Sequence, residues 1–149
     1  SKDGYVLDTF IVLDQNGETI DEERHENLTK HIGSVLKRGT PQLHKTRRVP
    51  SNLQHFKVKT KVDFLPTKSN KRTLMEFVAL DMPGLLATVG ATFTQLGLHL
   101  HGAKITTMGE RAEDLFILTN NENTRLSNEE EMLLSKALKS NVSELLPKN

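Results

Sequence analysis

The sequence repeats itself at a shift of 106 residues, and this repeat restricts the chain to folds in which one unit occurs twice. Residues 7–13 align with residues 113–119, so that Asp8 matches Asp114 and Phe10 matches Phe116. Downstream, apolar residues match at four-residue spacing, which is typical of one face of a helix. These matches are Leu28 with Leu134, Ile32 with Leu138 and Leu36 with Val142. The repeat predicts that a strand and an amphipathic helix are duplicated. Asp21 aligns with Ser127, and these two residues are the predicted start signals of the two helices; Ser127 and Glu130 form a predicted capping box.

The second copy is predicted to be the fuller one. The pattern indicates a strand over residues 73–80, a helix to Leu96, a strand over residues 98–106, a hairpin turn at Met108, Gly109 and Glu110, a strand to Thr119 and a helix after Ser127. The order β-α-β-β-α predicts an α+β, ferredoxin-like fold, with an antiparallel sheet and helices on one face.

The first copy is predicted to be truncated, covering residues 1–66, with the second copy over residues 67–149. It contains only the later strand and helix, followed by a strand over residues 54–64 in which Phe56 and Phe64 alternate with charged residues. It begins inside a predicted hairpin, so we interpret the chain as a fragment of a larger protein. The second copy lacks a convincing final strand, which the strand over 54–64 or a partner could supply. Unpaired strand edges also predict self-association.

The turn before the second copy's first helix is a candidate anion site. Asp81 is predicted to be the N-cap, Pro83 suits the first helical turn, and Gly97 is predicted to end the helix. Its apolar face is expected to contain Leu86, Val89, Phe93 and Leu96. Free backbone N–H groups at a helix start attract a carboxylate or phosphate. These residue types are also common at the start of helices that bind no ligand. The turn alone therefore agrees equally well with a purely structural role.

Composition excludes several classes of site. The chain has no Cys, no Trp and only seven Phe or Tyr residues, which leaves no thiolate metal site and few rings for stacking bases. No apolar run is long enough to span a membrane and there is no signal-like N-terminus, so we expect a cytoplasmic protein. Residues 37–72 hold eleven Lys or Arg and one acid. This basic segment could meet an acidic partner, although a solvated connector with a charged strand face explains it more simply.

No catalytic or metal site is predicted. His25 and His31 are six residues apart and therefore lie on different faces of a helix. His99 and His101 alternate on one strand, but without a third metal ligand their spacing favours hydrogen bonding, or packing against a bound ligand, over a metal site. Asp81 and Asp114 are interpreted as structural carboxylates.

The motif from Asp81 to Leu86, with Gly97-Leu-His-Leu100 at the next strand, resembles the ACT domain, a regulatory module that binds amino acids, often between paired copies. The run Ile105-Thr-Thr-Met-Gly-Glu-Arg-Ala-Glu-Asp-Leu-Phe116 is more distinctive. It is similar to the C-terminal tandem ACT domains of the bifunctional uridylyltransferase and uridylyl-removing enzymes that act on the PII nitrogen-signalling protein.

This resemblance implies that the parent enzyme modifies PII when glutamine is scarce and reverses the modification when glutamine is plentiful. It also implies a nucleotidyltransferase domain and a metal-dependent phosphohydrolase domain, for which Mg is the expected cofactor. Neither domain is expected in this chain, so we predict no enzymatic activity, no catalytic residue and no cofactor here. The expected partners are L-glutamine, the catalytic domains of the parent, PII and a second copy.

The resemblance places glutamine at the turn before the helix, with residues 97–101 as the opposing wall. The implied ligand-binding residues are Asp81, Met82, Pro83, Gly84, Leu85, Leu86, Gly97, Leu98, His99 and His101. Position 99 is often Asn in amino-acid-binding ACT domains and is His in this chain.

Two other functions stay open from the sequence. The copies could dimerise or dock the parent's other domains without any ligand. An RNA-binding ferredoxin-like domain is the less favoured alternative, because paired aromatics for stacking bases are missing and Phe56 and Phe64 fit a core face better.

Overall fold

The structure is a computed structural model, and it describes residues 12, 14, 18–38, 58–67 and 71–146. Contacts within the chain divide it into two compact units, Ser1–Gln42 and Leu43–Asn149. In the described residues, no helix is both long and apolar enough to cross a membrane.

The described part of the first unit is dominated by helix α1, Glu22–Arg38. It begins at the predicted position, because the Arg24 backbone N–H donates to the Asp21 carboxylate at 2.8 Å. A side chain that accepts a bond from the third helical N–H is an N-cap. Lys30 and Glu26 form an exposed ion pair at 3.1 Å, one helical turn apart. No residue of α1 is buried, so its apolar stripe lies open to solvent or half covered.

The second unit contains an antiparallel sheet and two further helices. Its elements are β1 (Lys61–Leu65), β2 (Thr73–Leu80), α2 (Leu85–Gln95), β3 (His99–Lys104), β4 (Thr107–Met108), β5 (Arg111–Thr119) and α3 (Asn128–Ser143). The strands are ordered β1-β2-β5-β3, and β4 also pairs with β5. From β2 onward the order follows the predicted β-α-β-β-α, except that two strands, β3 and β4, precede β5 where one was predicted, and both pair with β5. The α+β, ferredoxin-like fold is therefore confirmed.

Strand β1 occupies the place of the strand that the second copy lacks. It pairs antiparallel with β2, so that Val62 lies opposite Phe77 and Phe64 opposite Met75. In a β-α-β-β-α-β unit the strand after the last helix would lie beside the first strand, which is this position. Residues that the repeat assigns to the first copy thus complete the sheet of the second unit. The division of the chain into two copies between residues 66 and 67 was inferred from the repeat, and it stays a prediction.

The core lies between the sheet and the two helices of the second unit. The Phe116 ring on β5 contacts Phe77 on β2 and Phe93 on α2 edge to face, with ring centroids 6.5 and 5.3 Å apart. Leu134 and Leu138 of α3 are 0% exposed, and half-buried Phe64 packs against the same cluster. Phe64 therefore lies in the core, as predicted, while Phe56 lies outside the described residues.

Two local signals are confirmed and one is corrected. The hairpin between β4 and β5 turns at Gly109 and Glu110. Ser127 and Glu130 form the predicted capping box at the start of α3. The apolar face predicted for α2 was wrong at Leu86, which is 46% exposed; Leu85, Val89, Thr92 and Phe93 are the buried residues of this helix. Leu85, and not Leu86, shares the inward face with Val89 and Phe93, because side chains four residues apart lie on the same face of a helix.

Candidate functional site

The turn between β2 and α2 differs from its predicted geometry. Helix α2 begins at Leu85, and its N-cap is Gly84 in the left-handed conformation, at φ 87° and ψ 0°. The prediction of Asp81 as N-cap was wrong, and Pro83 precedes the first helical turn instead of lying in it. The Asp81 backbone N–H donates to the Glu110 carbonyl at 2.8 Å, which extends the strand pairing by one residue and delays the helix.

This geometry leaves the start of α2 without a side-chain cap. The Leu85 N–H donates to the Met82 carbonyl at 3.1 Å, and Thr88 donates to Gly84 at 2.9 Å. Capping side chains normally accept from the second or third N–H of a helix, and here no side chain does so. A left-handed glycine exposes this turn without the bulk of a side chain. The helix start can therefore accept an anionic group from outside.

Asp81 follows the last residue of β2 and lies between Leu80 and Met82, which both belong to the buried core. Asp81 is half-buried, while Gly84 beside it is exposed. The turn thus combines a carboxylate with an uncapped helix start, and the two can receive opposite charges.

Asp114 is buried on the core-facing side of the sheet. It lies opposite Phe77 on β2 and is 0% exposed. Its Oδ1 accepts the Thr106 backbone N–H at 3.2 Å, whereas its buried Oδ2 has no hydrogen-bond partner. Burial raises the pKa of Asp114, the Thr106 N–H lowers it, and the negative charge of Asp81 raises it; the net direction is upward.

The second group of predicted site residues lies where α2 passes into β3. Gly97 has φ 67° and donates its N–H to Thr94, while the Leu98 N–H donates to Phe93 at 2.9 Å. These two bonds form a Schellman motif, which requires the left-handed residue that glycine supplies. A side chain at Gly97 would meet only Asn121 Cβ, at 3.9 Å, so steric contact is ordinary there. Backbone conformation, and not lack of space, accounts for this glycine.

The two histidines of β3 do not follow simple alternation. A bulge between Leu100 and Gly102 interrupts the pairing with β5, although His99 still lies opposite Thr119. His101 Nε2 lies 2.9 Å from the Thr119 hydroxyl. Hydrogen bonding was the role predicted for this pair of histidines, and the His101 contact fits it. Among the described residues, no group of three His, Cys, Asp or Glu side chains could hold a metal ion.

The structure separates the two groups of predicted site residues. Asp81, Met82, Pro83, Gly84, Leu85 and Leu86 lie at the start of α2, while Gly97, Leu98, His99 and His101 follow its end. Helix α2 has 11 residues. At about 1.5 Å per residue, its ends lie roughly 16 Å apart. One chain therefore does not bring residues 97–101 against the turn as an opposing wall.

Comparison with known proteins gives a consistent set of relatives. The chain is 69% identical over 147 residues to the bifunctional uridylyltransferase/uridylyl-removing enzyme of Vibrio cholerae serotype O1, covering 99% of this chain and 17% of the relative. The enzymes of the same description from Vibrio atlanticus and Aliivibrio fischeri are 67% and 62% identical. The chain matches a segment of this enzyme family. No protein-family model matches it.

The comparison confirms the resemblance to bifunctional uridylyltransferase/uridylyl-removing enzymes, while the ACT identity of the domains stays a prediction. The chain spans about 17% of the length of these relatives, so it corresponds to one part of such an enzyme. Within that part, the sequence analysis considered Asp114 and interpreted it as a structural carboxylate. The alternation of β5 would place it on the core side with Phe116, but no sequence signal shows that one of its oxygens lacks a partner.

Proposed function

We propose that this chain is a regulatory, amino-acid-sensing module of an enzyme that uridylylates and deuridylylates PII, and that its ligand is L-glutamine. The observation that carries the proposal is the uncapped start of α2 beside Asp81, in a chain closely similar to a segment of uridylyltransferase/uridylyl-removing enzymes. An amino acid carries one anionic and one cationic group on the same carbon. The turn offers helix-start amides for the carboxylate and the Asp81 carboxylate for the ammonium.

The second group of predicted residues has a different place in this proposal. Since residues 97–101 lie at the far end of α2, they face a ligand at the turn only when a second copy of the domain supplies them. Self-association is therefore part of the proposed binding mode. In the parent enzyme, glutamine binding would change how these domains contact the catalytic domains, and so favour removal of the uridylyl group.

Thermal shift of the chain against the twenty amino acids tests the proposal. A ligand that binds only the folded state raises its unfolding temperature. We expect L-glutamine to give the largest shift, and Asp81→Asn to reduce that shift. Asp63→Asn, an exposed carboxylate on β1, is the matched control and should leave it unchanged. No shift with any amino acid would contradict the proposal. The chain alone should also transfer no label from UTP to PII in the presence of magnesium.

A ligand-free docking module is the second candidate, and exposed apolar side chains favour it. Leu100 on β3 and Met108 on β4 are 51% and 63% exposed. An apolar surface of this kind can contact another protein domain. Light scattering separates this candidate from the first: it expects association that L-glutamine does not change, whereas a sensing module should associate more strongly with glutamine present.

A further inference from the structure

The side of α3 that faces strand β1 forms one wall of an open groove of about 660 Å³. The side chains of this wall recur at three- and four-residue spacing, so they lie along one face of the helix. They are Asn128, Glu131, Met132, Ser135, Lys136 and Lys139. Val62 and Phe64 of β1 line the opposite wall. The groove therefore follows the β1 end of the sheet, whereas β3 lies at the other end.

Apolar side chains remain partly open to solvent in this groove. Met132 is 66% exposed and Phe64 is half-buried, although Phe64 also packs against the core. Exposed apolar side chains that are surrounded by polar ones often mark a surface that contacts another protein. The groove can therefore bury apolar side chains of a partner against Met132 and Phe64.

The outer edge of β1 runs beside the groove. Among the described residues, β1 pairs only with β2, so these residues give its outer backbone N–H and C=O groups no strand partner. An edge of this kind can accept an extended segment of another protein as a further strand. Strand β1 has 5 residues, which sets the length of segment that it can pair. Every second side chain of such a segment would point toward the groove.

The charges of the groove favour an acidic segment. Lys136 and Lys139 are exposed on the α3 wall, and neither forms an ion pair with a described residue. The acid of this wall, Glu131, already lies 3.8 Å from the Arg125 guanidinium. Asp63 alternates with the two groove residues of β1 and therefore lies on the other face of the sheet. The two unpaired lysines leave the groove positively charged.

We propose that the groove between β1 and α3 binds an extended acidic segment of a partner protein, which joins the sheet as a strand beside β1. Backbone hydrogen bonds to β1 hold the segment in place. Its apolar side chains contact Phe64 and Met132, and its carboxylates lie near Lys136 and Lys139. Positive charge at the groove disfavours a basic segment, so charge selects the partner. This inference does not rest on glutamine binding.

Nuclear magnetic resonance titration of the full chain tests the proposal with a short synthetic peptide whose central valines are flanked by glutamates. We expect the backbone amide resonances of Lys61–Leu65 and of the groove side of α3 to shift. The same peptide with lysine in place of glutamate should bind at least about tenfold more weakly, because like charges repel. Unchanged β1 resonances at the highest peptide concentration, or equal binding of the two peptides, would overturn the proposal.

Two pairs of variants separate the apolar and the charged contributions. Met132→Ser should weaken binding of the acidic peptide about fivefold, because apolar burial is lost. Leu133→Ser is its matched control, since Leu133 is 55% exposed on the same helix but does not line the groove. Lys139→Glu should weaken binding about threefold or more, whereas Lys104→Glu, at an exposed lysine of β3, should not. Equal effects within both pairs would contradict the groove as the binding surface.

Light scattering distinguishes a partner segment from a second copy of this chain. The proposal expects the β1 resonances to respond to the acidic peptide and not to the concentration of the chain itself. If they shift with chain concentration while the molecular mass doubles, and the acidic peptide does not reverse this, a second copy occupies the groove. That result would overturn the proposal.

Discussion

Helices α1 and α3 have similar sequence patterns and opposite environments. At the shift of 106 residues, the first residue of α1, Glu22, falls on the first residue of α3, Asn128. Both helices begin after a capping side chain, Asp21 or Ser127. Yet α1 has no buried residue, while Leu134, Leu138 and Val142 of α3 are at most 1% exposed.

The difference shows which property a repeated pattern specifies and which it does not. Capping residues and four-residue apolar spacing determine where a helix begins and which face is apolar. Burial of that face requires other elements to pack against, and α3 has them in α2 and β1. Most of the stability of a protein helix comes from packing of its apolar face. We therefore expect α3 to unfold with the core of the second unit, and α1 to contribute little to that transition.

Truncation of matched apolar residues should give the largest effect. Leu138→Ala removes a fully buried side chain from α3 and should lower the free energy of unfolding by about 2–5 kcal/mol. Ile32→Ala is its counterpart in α1, where the side chain is 47% exposed, and should cost less than about 1 kcal/mol. Urea unfolding monitored by circular dichroism measures both. Equal losses of unfolding free energy in the two variants would show that α1 is packed as well as α3, and would contradict the difference between the two helices.

The second largest expected effect is a pH dependence of the free energy of unfolding, and it concerns only the second unit. The pKa of Asp114 is raised in the folded state, chiefly by burial, so the folded state binds a proton more readily than the unfolded chain. Its contribution to stability is therefore largest below the ordinary pKa of 3.8 and is lost as pH rises through the raised value. Asp21 and the acidic residues of α1 are exposed, so the helix content of α1 should not follow this titration.

The difference in unfolding free energy between the unmodified chain and Asp114→Asn isolates this titration. The unmodified chain should lose stability relative to the variant as pH rises from about 3.8. Asp63→Asn is the control for removal of an exposed carboxylate. A difference that stays constant across this range would mean that Asp114 has an ordinary pKa in the folded protein.

Local signals allowed the sequence to predict most of the fold. The capping box at Ser127, the cap at Asp21 and the hairpin at Gly109 each depend on residues close together in the chain. The start of α2 was misplaced because a distant contact decides it. Asp81 pairs its backbone with Glu110, and this bond keeps Asp81 in the strand geometry that competes with helix capping.

The candidate site was less predictable than the fold, for the same physical reason. Sequence spacing cannot show that residues 97–101 lie at the far end of α2 from the turn, because a proposed pocket depends on positions in space. The bulge at His101 interrupts the pairing between β3 and β5, and it therefore depends on two strands that are distant in sequence. The unpartnered Oδ2 of Asp114 is a property of its whole surroundings. None of these features has a signature in neighbouring residues.

The smallest effect that we predict compares the two helix caps. Ser127→Ala removes a hydroxyl that accepts the Glu130 N–H at 3.2 Å, and Asp21→Ala removes a carboxylate that accepts the Arg24 N–H at 2.8 Å. Each loss should weaken its own helix by about 1 kcal/mol. Because α3 is packed in the core, Ser127→Ala should lower the urea midpoint of the second unit. Because α1 has no buried residue, Asp21→Ala should reduce helical circular dichroism and leave that midpoint in place. A midpoint lowered equally by both variants would mean that α1 unfolds together with the core. The two helices would then differ in solvent exposure but would unfold in the same cooperative transition.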